Sequence, residues 1–319
     1  MTDISYEPGR CAVCGHSDAR VVAEQEDLRA EVEWLWEYHQ QRLRPDTPPE
    51  HLTDRVAFSE YPPIRLVRCR ECGLVYRNPV ERLHELEQIY AGDTPTHTVL
   101  RSLHDTQLPA VRRQARRLRD TLGRPGTGIE VGSYVGAFLS AARECELQIE
   151  GVDINRDVNV FTRSLGFTVH DGDLASVEGS KQYDCVAIWN TFDQLANPRE
   201  TVNHARGLLR AGGVLAIRVP NGAFYARMRR RRAGWPLLAQ NNLLSFPYRW
   251  GFTPKSLSRL LVDLGFTVRR LRPDVLVPIA DEWTRSWAAR EERVMKRAML
   301  AAATADRSLA PWFEVYAST

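Results

Sequence analysis

Residues 128–136 read GIEVGSYVG. A short apolar strand carries an acidic residue, Glu130, into two glycines four apart, Gly132 and Gly136. Glycines at such a turn let the chain double back and let a ligand approach the amides at the start of a following helix. The dinucleotide pattern G-x-G-x-x-G is not met, and Tyr134 stands where the middle glycine of a three-glycine loop would be. A pyrophosphate is poorly served here, because the Glu130 carboxylate would repel it. The same carboxylate suits a ligand bearing an ammonium group.

From about residue 105 the chain alternates between the two periodicities on either side of this loop. Strand-like runs such as IEGVDI, FTVHDGD, YDCVAIWNTF and GGVLAIRVP are separated by amphipathic stretches such as GAFLSAARECE and PRETVNHARGLLR. This predicts an α/β fold with a Rossmann-like, seven-stranded, mostly parallel sheet. The last strand, WFEVYA, is expected to insert antiparallel beside the strand before it. Thr253 followed by Pro254 marks the start of one more helix. Open sheets of this kind bind ligands beyond the carboxyl ends of their strands, where this pattern places Glu130, Asp153 and Asp173. Asp153 is placed to accept both hydroxyls of a ribose. Asp173 is placed to accept from an adenine amino group, with Leu174 covering the ring. A ribose acceptor, an adenine acceptor and an ammonium partner, without a phosphate cradle, describe S-adenosylmethionine (SAM).

Two knuckles of the type C-x-x-C-G stand near the start, Cys11 to Cys14 and Cys69 to Cys72. Four thiolates in two such pairs form the closed tetrahedral set of structural zinc, which leaves no open position for a catalytic water. Four unrelated buried cysteines are the alternative. His16 reads as a solvated neighbour, and Cys145 and Cys185 as small core residues. Residues 1–90 are therefore expected to form a zinc-ribbon-like module with a helical insertion whose stripe is Leu28, Val32, Leu35 and Trp36. Residues 91–319 are expected to form the α/β domain, with 221–252 as a lid over a substrate pocket. The arginine run 227–232 is open between a nucleic-acid footprint, a solvated helix face and a clamp for an anionic substrate.

Of 319 residues, 43% are hydrophobic and 26% charged, with a formal net charge of +3. That balance excludes overall disorder and does not by itself call for a nucleic acid or membrane partner. No stretch reads as a signal peptide or a membrane span, so the expected place is the cytoplasm.

The motifs in this order resemble the class I SAM-dependent methyltransferases, in particular the branch that begins with a C-x-x-C zinc ribbon. Glu130, Gly132 and Gly136 match the first motif, which departs at Tyr134. Asp153 and Asp173 match the acidic positions after the second and third strands. The resemblance covers roughly two thirds of the chain. It implies a cofactor shell of Glu130, Gly132, Ser133, Tyr134, Gly136, Asp153, Ile154, Asp173, Leu174 and Asn190. Where that family often has an acidic residue followed by histidine after the fourth strand, this chain has Asp193 and Gln194. With His104, these are the catalytic candidates, although Asp193 can equally cap the local turn. The base-methylating N-P-P-Y signature is absent after the fourth strand, where NTFDQ stands. The expected activity is methyl transfer to a small-molecule acceptor, in secondary metabolism, with RNA methylation as the second reading and a non-catalytic SAM-binding module as the third.

Overall fold

The computed structural model describes residues 6–47, 64–82, 95–177, 182–243, 249–276 and 283–319. The expected domain boundary at residue 90 lies outside these residues.

The loop GIEVGSYVG sits at the centre of a seven-stranded sheet. Its strand, β6 (Gly126–Val131), pairs in parallel with β7 (Leu147–Asp153) on one side and β9 (Tyr183–Trp189) on the other. Beyond β7 lies β8 (Val169–Asp171), and beyond β9 lies β10 (Leu209–Pro220), both parallel. The last strand, β13 (Trp312–Ser318), runs antiparallel between β10 and β12 (Thr267–Asp274). The order is therefore β12-β13-β10-β9-β6-β7-β8. The strand order reverses between β6 and β9, and that is where such sheets open a ligand crevice.

Both faces are covered, which is why the central strands are continuously apolar. On one face, Cys185, Ala187 and Trp189 of β9 pack with Ala115 and Leu118 of α2 (His97–Leu122) and with Phe138, Ala141 and Ala142 of α3 (Ala137–Glu144). On the other, Val186 and Ile188 meet Val202 and Ala205 of α5 (Pro198–Leu208) and Leu257, Leu260 and Leu261 of α8 (Pro254–Asp263). Thr253 caps α8 in a capping box with Ser256, and Pro254 takes the first helical position. Between β7 and β8 runs α4 (Arg156–Ser164), started by the Asn155 side chain. No helix among the described residues is long and apolar enough to cross a membrane.

The N-terminal module is fused into this core. Two short strands, β1 (Tyr6–Glu7) and β5 (Val80–Glu81), pair with each other. A second sheet has the order β11-β4-β3-β2, from Trp250–Gly251, Val75–Asn78, Arg65–Cys69 and Ala19–Ala23. Its outermost strand β11 comes from the segment 221–252, so that segment completes the module's own sheet. One face of this sheet joins the main core through Val67 and Tyr76. The other, through Leu66 and Val75, packs on α1 (Gln25–Arg42), on Phe224 and Tyr225 of α6 (Gly222–Met228) and on Trp235 and Leu238 of α7 (Trp235–Ala239). Helix α9 (Ser286–Ala305) closes this cluster with Met299.

Helix α1 buries Leu28, Val32 and Leu35 as its stripe predicts; Trp36 stays partly exposed, and Tyr38 and His39 extend the buried side. Glu31 is buried on the same side. Its carboxylate accepts from Arg229 Nε at 2.8 Å and from the Tyr225 hydroxyl at 3.0 Å. Arg229 also donates to the Val22 carbonyl at 2.6 Å. Replacing Glu31 by Ala strands a buried guanidinium and is expected to cost about 3–5 kcal/mol in urea unfolding. Glu33→Ala, on the exposed side of the same helix, should change stability by less than about 0.5 kcal/mol. Equal effects would remove this ion pair from its role as the pin between α1 and the 221–252 segment.

Candidate functional site

The loop after β6 keeps the left-handed backbone that its glycines predict, with φ of 74° at Gly132 and 70° at Gly136. A Cβ at Gly132 would enter the Thr191 side chain, and one at Gly136 would stand 2.7 Å from Thr162 Cγ2. Tyr134 adopts φ of 43°, the conformation a glycine would take more cheaply. Two hydrogen bonds hold it there. Its amide donates to Asp153 Oδ2 at 2.9 Å, and its carbonyl accepts from Thr162 Oγ1 at 2.6 Å. The missing glycine therefore changes what projects from the loop while the loop's path is kept. The Tyr134 side chain is 37% exposed, and Ile154 stands exposed at the end of β7.

Asp153 closes β7, with its other oxygen accepting from the Asn155 amide at 3.0 Å. Burial raises its pKa, and the backbone donors Asn155 and Tyr134 oppose that shift. Glu130 lies within β6, buried, with Oε2 lacking any hydrogen-bond partner among the described residues. Burial first, and then the neighbouring Asp153, push its pKa well above the usual carboxylate range. The Ser133 hydroxyl beside it is also buried and unpartnered. Asp173 precedes a short 3-10 turn, Leu174–Ser176, and its Oδ1 accepts from the amides of Ala175 and Ser176 at 3.0 and 3.2 Å. Leu174 is buried beneath that turn.

On the other side of the crevice, Asn190 follows β9 with φ of 58°. Its side-chain oxygen accepts from Arg218 Nη1, and its carbonyl accepts from Gln194 Nε2 at 2.9 Å. Arg218 is the residue that sequence reasoning passed over. It is buried in β10, donates to Asp274 Oδ2 at 2.6 Å, and lies over the Trp312 ring at 4.4 Å. A charged residue inside the apolar run LAIRVP was its signal. Asn159 was also missed; its amide joins the Asp153 carbonyl to Asp171 Oδ1, at 2.9 and 2.8 Å.

The three catalytic candidates occupy different settings. The His104 ring spans α2 and α3, with Nδ1 2.8 Å from Asp105 Oδ1 and Nε2 2.9 Å from Ser140 Oγ. Both ring nitrogens are thus engaged. Gln194 holds Asn190. Asp193 is fully buried, neither carboxyl oxygen has a partner among the described residues, and burial pushes its pKa up to about 7. Asp193's carbonyl accepts from the Trp250 amide at 3.0 Å, which ties this turn to β11. Asn241, in the segment 221–252, is buried, its side chain donating to the Leu237 carbonyl and its own backbone carbonyl accepting from Trp312 Nε1.

The four knuckle cysteines converge. Their sulfurs all lie within 4.8 Å of one another, with Cys11 to Cys72 at 3.3 Å and Cys14 to Cys69 at 3.5 Å. A tetrahedral zinc with bonds of about 2.3 Å would space its sulfurs about 3.8 Å apart, so the set fits with small adjustments. The Tyr76 hydroxyl is buried without a partner, and the charges of all four sulfurs act on it.

A family model described as a methyltransferase domain matches residues 103–271, more than half of the chain. Solved structures similar to this chain include a SAM-dependent methyltransferase from Archaeoglobus fulgidus, 19% identical over 66% of this chain and 94% of that one, with a TM-score of 0.45. A SAM-dependent methyltransferase from Mesorhizobium loti is 14% identical over 61% and 91%, with a TM-score of 0.41. The plantazolicin methyltransferase BpumL in complex with SAH is 12% identical over 73% and 93%, with a TM-score of 0.46. No curated protein matches the sequence.

The Asp193 carboxyl makes stability depend on pH in a defined direction. Below about pH 4 it is neutral in both states. As pH rises toward 7 the unfolded chain releases the proton while the folded chain keeps it, so stability falls until both are ionised. The difference between its usual value and about 7 corresponds to on the order of 4 kcal/mol. Asp193→Asn should remove that loss, flattening the change in unfolding free energy between pH 5 and pH 8 relative to the parent. Parallel pH curves for the two proteins would show that Asp193 ionises normally.

Proposed function

The chain belongs to the methyltransferase-domain family, and from that premise we propose that it transfers the methyl group of SAM to a small-molecule acceptor, in secondary metabolism. The observation that carries the reading is the buried Glu130 oxygen without a donor, beside the loop that Asp153 and Tyr134 hold together. The cofactor's ammonium group would supply both the missing hydrogen bond and the charge that draws the Glu130 proton off. Asp153 would accept from the ribose through its remaining lone pairs. Asp173 would offer Oδ2 to the adenine amino group over Leu174, and Tyr134 and Ile154 would cover the rings.

The bound cofactor supplies an electrophilic methyl group, which leaves the protein to position an acceptor nucleophile in line with it. Asn190, held by Arg218 and Gln194, is proposed to border the cofactor on the side toward the acceptor. Asp193, whose pKa burial pushes up to about 7, is the candidate to take a proton from an acceptor hydroxyl or amine. His104 acts as a positioning residue, fixing α3 under the cofactor loop through Ser140. We take the segment 221–252 as one wall of the acceptor pocket, carried on the N-terminal module. That module, in turn, is proposed to hold one structural zinc through Cys11, Cys14, Cys69 and Cys72, with no role in the chemistry.

Asp153→Ala is expected to weaken SAM binding by about 1.5–3 kcal/mol in calorimetry, with NAD bound by neither protein. Unchanged SAM affinity, or a preference for NAD, refutes the cofactor assignment. Metal analysis of the purified chain should return one zinc per molecule, lost in Cys69→Ser. A chain that folds and binds SAM with no zinc at any stage would leave the cysteines as core residues.

A further inference from the structure

Each of the three guanidinium nitrogens of Arg218 is engaged. Nε donates to Asp274 Oδ2 at 2.6 Å, Nη2 to the Val275 carbonyl at 3.2 Å, and Nη1 to Asn190 Oδ1. The group lies over the Trp312 ring at 4.4 Å, and the fully buried Asp274 is held in turn by Arg113 Nη2 at 2.5 Å. This fixes which way the Asn190 amide faces. A guanidinium only donates, so the amide oxygen lies toward Arg218 and the Nδ2 group away from it. The main chain is fixed as well: the Asn190 amide donates to the Arg218 carbonyl at 3.1 Å, and its carbonyl accepts from Gln194 Nε2 at 2.9 Å. Asn190 is exposed at the end of β9, and no described residue accepts from its Nδ2. The next residue, Thr191, lies against the cofactor loop, since a Cβ on Gly132 would stand 2.4 Å from Thr191 Oγ1. Asn190 thus presents two N–H donors beside that loop.

The charge behind Asn190 has a sign that matches those donors. Arg113, Arg117 and Arg218 share two buried carboxylates, Asp274 and Glu314, which leaves one positive charge in excess. Asp193 also feels the Arg218 charge, but burial pushes its pKa up to about 7, so at pH 6 its carboxyl does not cancel the excess. Across the strand-order reversal the balance is opposite, because there Glu130 adjoins Asp153. We infer that Asn190 donates to the carboxylate of the cofactor's amino-acid end, with Arg218 as the positioning residue that turns its amide. The crevice then grips a zwitterion between Asn190 and Glu130. The ammonium and the carboxylate of SAM sit on one carbon, and β6 and β9 are neighbours in the sheet. A neutral oxygen would use the N–H donors but not the excess charge; a carboxylate uses both. The inference rests on SAM as the proposed cofactor and is independent of the acceptor's identity.

The test is calorimetry at pH 6 on the full-length purified chain, titrated with SAM and with decarboxylated SAM, which keeps the sulfonium and the ammonium but lacks the carboxylate. The parent is expected to bind SAM at least tenfold more tightly. Asn190→Asp keeps an oxygen toward Arg218 and replaces the two donors by a second oxygen. In that variant the preference for SAM should vanish through weaker SAM binding, while decarboxylated SAM binds at least as well as to the parent. Arg218→Lys keeps the charge beside Asp274 but not the fork, and should lower the preference at least threefold. Because Asn190 is exposed, the Asn190→Asp result stands whether or not the Arg218 variant folds, which thermal melting reports. A role confined to packing would weaken both ligands alike, and that result in Asn190→Asp overturns the inference. Equal affinity of the parent for the two ligands, or an Asn190→Asp protein that keeps the parent's preference, overturns the carboxylate contact while leaving SAM as the cofactor. A parent that binds neither ligand refutes the cofactor reading itself, and this contact with it.

Discussion

The hydrogen bond from the Tyr134 amide to Asp153 is the constraint on which the crevice depends. It joins the loop after β6 to the end of β7, and so sets two adjacent strand ends at a fixed separation. Without it, Tyr134 would have little reason to keep a left-handed backbone, which costs a non-glycine residue roughly 1–2 kcal/mol. Thr162 adds a second restraint from α4 through the Tyr134 carbonyl. The strain is thus held by groups on two neighbouring elements, and its local consequence is that an aromatic side chain projects from the loop instead of a hydrogen atom. A carboxylate that already accepts two backbone amides can still accept further donors, because each oxygen carries two lone pairs.

A second dependence links the N-terminal module to the same crevice. A strand of only two residues, β11, bonds to β4 on one side, while its Trp250 amide bonds to the Asp193 carbonyl on the other. The module's sheet is thereby continuous, through the main chain, with the turn after β9. Arg229 and Glu31 fasten the preceding helix to α1. The cysteine knuckles sit in the same apolar cluster as the central strands β6 and β9. Loosening the knuckles would therefore be felt first in the cluster that also holds Val131, Val152 and Leu174, before it reached the separate clusters of α2, α3 and α4.

How much of this the sequence discloses follows from the range of the interactions. Strand and helix periodicity is local, and so the alternating elements, the Thr253 cap and the antiparallel last strand are legible in the chain. The knuckles are legible because their spacing repeats. The partner of β11 is not, since Trp250–Gly251 is too short to carry a period and pairs with residues about 175 positions earlier. Glu31 reads as one more exposed charge on a helix until Arg229 and Tyr225, nearly two hundred residues away, are brought to it. Arg218 shows the opposite case. Its charge within a buried strand was visible, but its role as the group that holds Asn190 required knowing that β10 lies beside β9.

The buried carboxyls give the site its chemical character. Glu130 and Asp193 are removed from water on opposite sides of the strand-order reversal, and among the described residues Glu130 Oε2 and both Asp193 carboxyl oxygens have no hydrogen-bond partner. A core aliphatic at either position would stabilise the free protein, since an uncompensated buried polar group costs about 1–3 kcal/mol. Their placement differs in what could relieve it. Glu130 adjoins Asp153, so one added positive charge would act on two carboxyls at once, and the pair is suited to a cationic ligand. Asp193 lies where Arg218 lowers its pKa only slightly against the effect of burial, and no second carboxylate raises it. Burial therefore leaves it protonated up to about pH 7. The two buried carboxyls thus differ in kind: one adjoins a second carboxyl, and the other stands near a buried guanidinium.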